Sequence, residues 1–70
     1  MPDIHAHITG TVLSVHCGIG DRVGVGDTVV MLESMKMEMP VEAQNAGTVC
    51  QIWCAEGQSV REGDRLLQIE

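Results

Sequence analysis

A single lysine occurs in the 70-residue chain, Lys36, and it stands inside the run Glu33-Ser34-Met35-Lys36-Met37-Glu38. A lysine amine can form a Schiff base, act as a general base or accept an acyl group. The first two roles need an amine that gives up its proton easily, through apolar burial or a neighbouring cation. Nothing in the flanking sequence supplies either. The residue types therefore point to an acyl acceptor activated by a second enzyme. A protruding position suits that role, because another active site has to close around the amine.

Other residues with chemical capability are less persuasive. His5-x-His7 would put two imidazoles on one strand face, where they could ligate a metal. No third ligand is forced nearby, and a solvated terminal strand is the favoured reading. His16 and Cys17 are adjacent but isolated. Cys17, Cys50 and Cys54 are odd in number, which fits free thiols in a reducing compartment. Cys50-x-x-x-Cys54 has no matching second pair, so these thiols read as small core residues. No cluster of His, Asp and Ser supplies a nucleophile with its base, and Ser34 beside Lys36 makes no triad. We therefore expect no catalytic residue and no metal site.

Composition bounds the partners. The net charge of −6 argues against nucleic acid and anionic membranes, both of which need clustered Lys and Arg. It favours a monomer or transient complexes. No apolar run reaches transmembrane length. The start, Met1-Pro2-Asp3-Ile4-His5, lacks the charged and apolar regions of a signal peptide, so a cytoplasmic protein is expected. The length predicts one domain over 1–70. With no Phe or Tyr and one Trp, its core has to be aliphatic. Trp53 is expected to cover one end of that core, where truncation to Ala would cost about 3 kcal/mol or more.

The elements that must position Lys36 emerge from an internal repeat. Residues 1–33 align with 38–70 without a gap, each residue matching the one 37 places later (Gly10 with Gly47). Gly10-Thr11-Val12 falls on Gly47-Thr48-Val49, Cys17 on Cys54, Gly20 on Gly57, Val23 on Val60, and Gly26-Asp27 on Gly63-Asp64. The piece left between the halves, Ser34 to Met37, holds the lysine. Each half shows turn dipeptides and β-rich runs such as Thr28–Leu32 and Leu66–Ile69. Sustained helical periodicity is lacking. The pattern predicts an all-β sandwich or flattened barrel with a pseudo-twofold axis.

A hairpin centred on Met35-Lys36 is predicted by register. Leu32 then faces Met39, Val30 faces Val41 and Thr28 faces Ala43, all on one apolar side. The other side pairs Glu33 with Glu38, Met31 with Pro40 and Val29 with Glu42, and reads as solvent-exposed. Two-residue hairpin loops favour Gly or Asn, because their backbone needs positive φ. Met35-Lys36 breaks that rule, as functional sites tend to.

Glu33-Ser34-Met35-Lys36-Met37 resembles the biotin-attachment motif of biotin carboxyl carrier domains, within the biotinyl/lipoyl carrier family. The paired Gly-Thr-Val strand starts, the turns Gly20-Asp21-Arg22-Val23 and Gly26-Asp27, and their second-half equivalents Gly57-Gln58-Ser59-Val60 and Gly63-Asp64 resemble the rest of that pattern. The resemblance covers essentially the whole chain. In length it is similar to small free-standing bacterial carriers, and Gly18–Gly20 leaves no room for the "thumb" insertion of some acetyl-CoA carboxylase carriers. His7 and Gln44 depart from the Pro that many relatives have there, far from the lysine.

The resemblance implies two four-stranded antiparallel sheets in a barrel-sandwich hybrid, with the lysine on a tight hairpin between the halves. It implies a non-catalytic carrier. A biotin protein ligase would form biotinyl-AMP and acylate Lys36, and the tethered biotin would visit a biotin carboxylase and then a carboxyltransferase acting on an acyl-CoA or keto acid. Met35 and Met37 would be read by the ligase, with Glu33, Ser34 and Glu38 flanking the recognised tip. Lipoate is the competing cofactor; lipoyl carriers usually carry Asp-Lys-Ala where this chain has Met-Lys-Met, although small members can take either group.

Overall fold

The computed structural model describes residues 3–70 and contains strands and turns only. In chain order the strands are β1 (Asp3–His5), β2 (Gly10–Val15), β3 (Arg22–Val23), β4 (Thr28–Ser34), β5 (Met37–Glu42), β6 (Gly47–Ile52), β7 (Ser59–Val60) and β8 (Arg65–Ile69). They form two four-stranded sheets, ordered β1-β8-β6-β3 and β5-β4-β2-β7. All the pairings are antiparallel.

Adding 37 to each residue number turns one sheet into the other: β1 goes to β5, β2 to β6, β3 to β7 and β4 to β8. The irregularities follow the same rule. The ladder slips between Val12 and Ser14 in one sheet and between Val49 and Gln51 in the other. Turn contacts repeat as well. Gly20 N donates to the Val49 carbonyl and Gly57 N to the Val12 carbonyl, both at 2.8 Å. Each half therefore closes its turns on the other half's strands, and neither buries its apolar face alone.

The sandwich is filled by aliphatic side chains from both sheets, as the composition requires. Val12, Val29, Val30, Leu32, Val49, Leu66, Leu67 and Ile69 are completely or almost completely buried. No polar or charged side chain is buried among the described residues, so no hydrogen bond inside the core needs a partner. Gly10 and Gly47 are dictated by close approach. A Cβ on Gly10 would run into the Glu33 carbonyl, and one on Gly47 into Ile69 and the Glu70 carbonyl.

Four expectations need correction. Val29 is fully buried rather than solvent-facing. The β4–β5 ladder slips between Thr28 and Val30, so Thr28 pairs with Glu42, not Ala43, and the adjacent valines both turn inward. Trp53 is not core: it is 37% exposed, and the Arg65 guanidinium lies 4.2 Å over its ring. The penalty of a buried aromatic therefore does not carry over to it. Cys54 is buried and Cys17 packs against the core, but Cys50 sits on the outside of its sheet. There its thiol donates to Gln68 Oε1 at 3.2 Å.

Candidate functional site

The hairpin forms as the alternation of apolar and polar residues predicts. From Val30↔Val41 the register runs through Met31↔Pro40, Leu32↔Met39 and Glu33↔Glu38 to Ser34↔Met37. Leu32 and Val41 anchor it in the core. Beyond Ser34 and Met37 the chain reverses in two residues, Met35 at φ 53° and Lys36 at φ 64°. Positive φ at both central positions is the geometry of a type I′ turn, whose twist matches that of the flanking strands. A left-handed residue with a side chain costs roughly 1–2 kcal/mol. Elsewhere in the described chain positive φ falls only on glycines: Gly20, Gly26, Gly57 and Gly63.

The tip is open to solvent. Met35 is 91% exposed, Met37 is 59% exposed, and Lys36 is also exposed. Two aliphatic thioethers held in water beside an amine form a small apolar collar that the fold itself does not use. Below them Glu33 and Glu38 face each other as a directly opposed pair, both exposed. Like charges in that position disfavour pairing. The single salt bridge among the described residues joins Arg65 and Asp3, at 3.6 Å, on the other sheet. The structure thus brings Glu33, Ser34, Met35, Lys36, Met37 and Glu38 together on one turn and its two flanking pairs. A cavity of about 700 Å³ is lined mainly by residues of β1, β5 and neighbouring turns, and includes none of the six.

The hairpin is also held from below. Gly10 lies against the Glu33 backbone, Thr11 pairs with Glu33, and Val60 pairs with Gly10. Glu62 N reaches Thr9 Oγ1. Thus β8 begins at the lysine end and runs away from it, leaving Glu70 beside Thr48 at the far end. The body is 31 Å long. Gly10 was legible in sequence as a strand start, but its role under Glu33 was not. The signal was its alignment with Gly47, which meets the end of β8 in the same way. His5 and His7 are both exposed on either side of buried Ala6 and take no part in the lysine end.

The fold is a flattened all-β barrel of two like halves, with the chain's lysine on the two-residue turn between them. Comparison with known proteins agrees: the family model described as "Biotin-requiring enzyme" matches residues 1–69, and the chain belongs to that biotin/lipoyl family. It is 53% identical over 45 residues to the biotinylated protein TB7.3 homolog of Mycobacterium leprae, a match spanning 64% of this chain and 63% of that relative. It is 39% identical over 66 residues to the biotin/lipoyl attachment protein of Bacillus subtilis, covering 94% of this chain and 90% of that one. Among solved structures, the urea carboxylase of Kluyveromyces lactis superposes with a TM-score of 0.92 at 33% identity, over 99% of this chain and 6% of that chain. A single-chain long-chain acyl-CoA carboxylase gives 0.89 at 33% identity, over 94% and 6%. The fold and the biotin-carrier class follow from these likenesses.

Proposed function

We propose that Lys36 is the attachment point for biotin and that the chain is a non-catalytic carrier serving a biotin-dependent carboxylase. The observation that carries this is the turn itself: the one lysine of the chain, on a left-handed two-residue tip, with exposed methionines on both sides. The residues fit the group. Lys36 Nζ would form an amide with the acyl carbon of a donor activated by a biotin protein ligase, losing a proton as the donor's leaving group departs. Met35 and Met37 would contact the ligase, and Glu33, Ser34 and Glu38 hold the base of the hairpin. Biotin bound there would supply a ring nitrogen that takes a carboxyl group at a biotin carboxylase and gives it up at a carboxyltransferase. The protein's own contribution is tethering, which raises the local concentration of that ring at both sites.

The test is reconstitution of the modified chain with a biotin carboxylase, ATP and labelled bicarbonate. Acid-labile label on the wild type and none on Lys36→Arg is the expected result; equal labelling of both would sink the proposal. A second reading, a carrier that also takes lipoate, is favoured by the name of the Bacillus relative. A lipoyl ligase in place of the biotin ligase tests it, with a lipoyl adduct on Lys36 as the supporting outcome.

A further inference from the structure

The repeat provides an internal control for which surface residues the fold demands. On the outside of the sheet β1-β8-β6-β3, Cys50, Gln68 and Asp3 form a chain of polar contacts. The Cys50 thiol donates to Gln68 Oε1 at 3.2 Å, and Gln68 Nε2 donates to Asp3 Oδ1 at 2.9 Å. Their pseudo-twofold mates, 37 residues away in the other sheet, are Leu13, Met31 and Pro40. Met31 pairs directly with Pro40, and Leu13 is the extra residue where the ladder slips between Val12 and Ser14. Val30 and Leu32 turn inward on either side of Met31, so Met31 points outward. Leu13 is 36% exposed, Pro40 is exposed and Met31 is half-buried. The same backbone positions thus carry a hydrogen-bonded polar row on one sheet and an apolar row on the other. The shared backbone by itself therefore does not call for the apolar row.

Two further features say what covers it. The apolar row lies on the strands that carry Lys36, next to the Glu33–Glu38 pair and ahead of Glu42. Met31 is five residues before Lys36, about 16 Å along the strand at 3.3 Å per residue. The carboxylates bordering the row have no cationic partner among the described residues. We propose that the outer face of β5-β4-β2, centred on Leu13, Met31 and Pro40, is the docking surface for the ligase that acylates Lys36. That enzyme meets it with an apolar strip flanked by Lys or Arg. The ligase is the partner that must come this near, because its bond forms at Nζ itself, whereas enzymes that use the tethered ring receive it at the end of an arm. The inference rests on the acylation of Lys36 proposed above.

The experiment uses the full chain, biotin, ATP and a biotin protein ligase, with initial rates of adduct formation read by mass. Three proteins are compared: wild type, Lys36→Arg, and Leu13→Ser combined with Met31→Gln, with a thermal melt of each. The last gives Met31 the residue its mate already has. The expected result is that the double variant raises KM about tenfold with kcat unchanged, as loss of a central apolar contact does. The double variant should still melt as one cooperative unit well above the assay temperature, which excludes a general loss of folding. Wild-type KM in the double variant overturns the docking surface, and so does a fall in kcat alone. Failure of the wild type to accept biotin overturns the carrier reading and the inference with it. Self-association of the wild type that the double variant abolishes would assign the face to a second copy. Unaltered biotinylation with slowed carboxylation would assign it to the carboxylase. Either outcome would overturn the proposal.

Discussion

Met35 and Lys36 occupy a backbone conformation that the rest of the described chain reserves for glycine. At the other turns glycine takes that conformation without meeting any neighbour at its absent Cβ position. At the tip, two long side chains are kept despite a cost of roughly 1–2 kcal/mol each. Met35→Asn combined with Lys36→Gly, which supplies the residues a type I′ turn favours, is therefore expected to raise the free energy of unfolding by about 1 kcal/mol and to abolish acyl acceptance. Denaturant titration checks the first half of this prediction. An unchanged or lowered midpoint would mean the turn carries no strain that function explains. Part of this was legible in sequence: the run Glu33–Glu38 marked the site because its central pair broke a turn rule. Trp53 was misplaced because size alone argued for burial. Its aligned mate His16, polar in sequence and exposed in the fold, carried the better signal.

The β4–β5 hairpin depends on how closely β2 can approach it. Gly10 permits that approach under Glu33, and Gly47 permits the corresponding approach of β6 to the end of β8. In both cases backbone carbonyls are in the way, and these have little freedom to yield. Gly10→Ala and Gly47→Ala are each expected to destabilise by about 1–3 kcal/mol, as overpacking does. Only Gly10→Ala should also slow acylation, because only it displaces the base of the lysine hairpin. Thermal melts and ligase kinetics on the two variants check this, and equal acylation rates would contradict it. The register of this hairpin could be read from Val30 to the tip because alternation specifies it. It could not be read past Val30, where the ladder slips and alternation fails. Val29-Val30 and its mate Leu66-Leu67 are two adjacent apolar residues at the same place in both halves, and all four are buried. That doubled pair is how a sequence records such a slip.

Across the whole molecule, the pseudo-twofold makes one half a template for the other and leaves the differences to function. Among the described residues, all fourteen that form the buried core belong to repeat pairs, with Val41 and Cys54 matched by the partly buried Ile4 and Cys17. The interior was therefore readable from the aligned halves, whereas outward positions follow no such constraint. Burial pushes the Cys17 and Cys54 thiols above their ordinary value of 9.0, Cys17 with help from the nearby carboxylate of Asp21. The folded chain thus keeps protons that the unfolded chain loses near that value. Stability should be unaffected by these thiols at neutral pH and should fall as pH rises past 9.0. Denaturation midpoints at neutral and alkaline pH, for wild type and for Cys17→Ala with Cys54→Ala, check this. The alkaline loss should be smaller in the variant, and an equal loss would contradict the account.

All these scales converge on one amine. The most direct test is the intact mass of the chain after incubation with a biotin protein ligase, biotin and ATP, beside Lys36→Arg. One biotinyl adduct is expected on the wild type and none on the variant. No adduct on the wild type, or the same adduct on both, would contradict it.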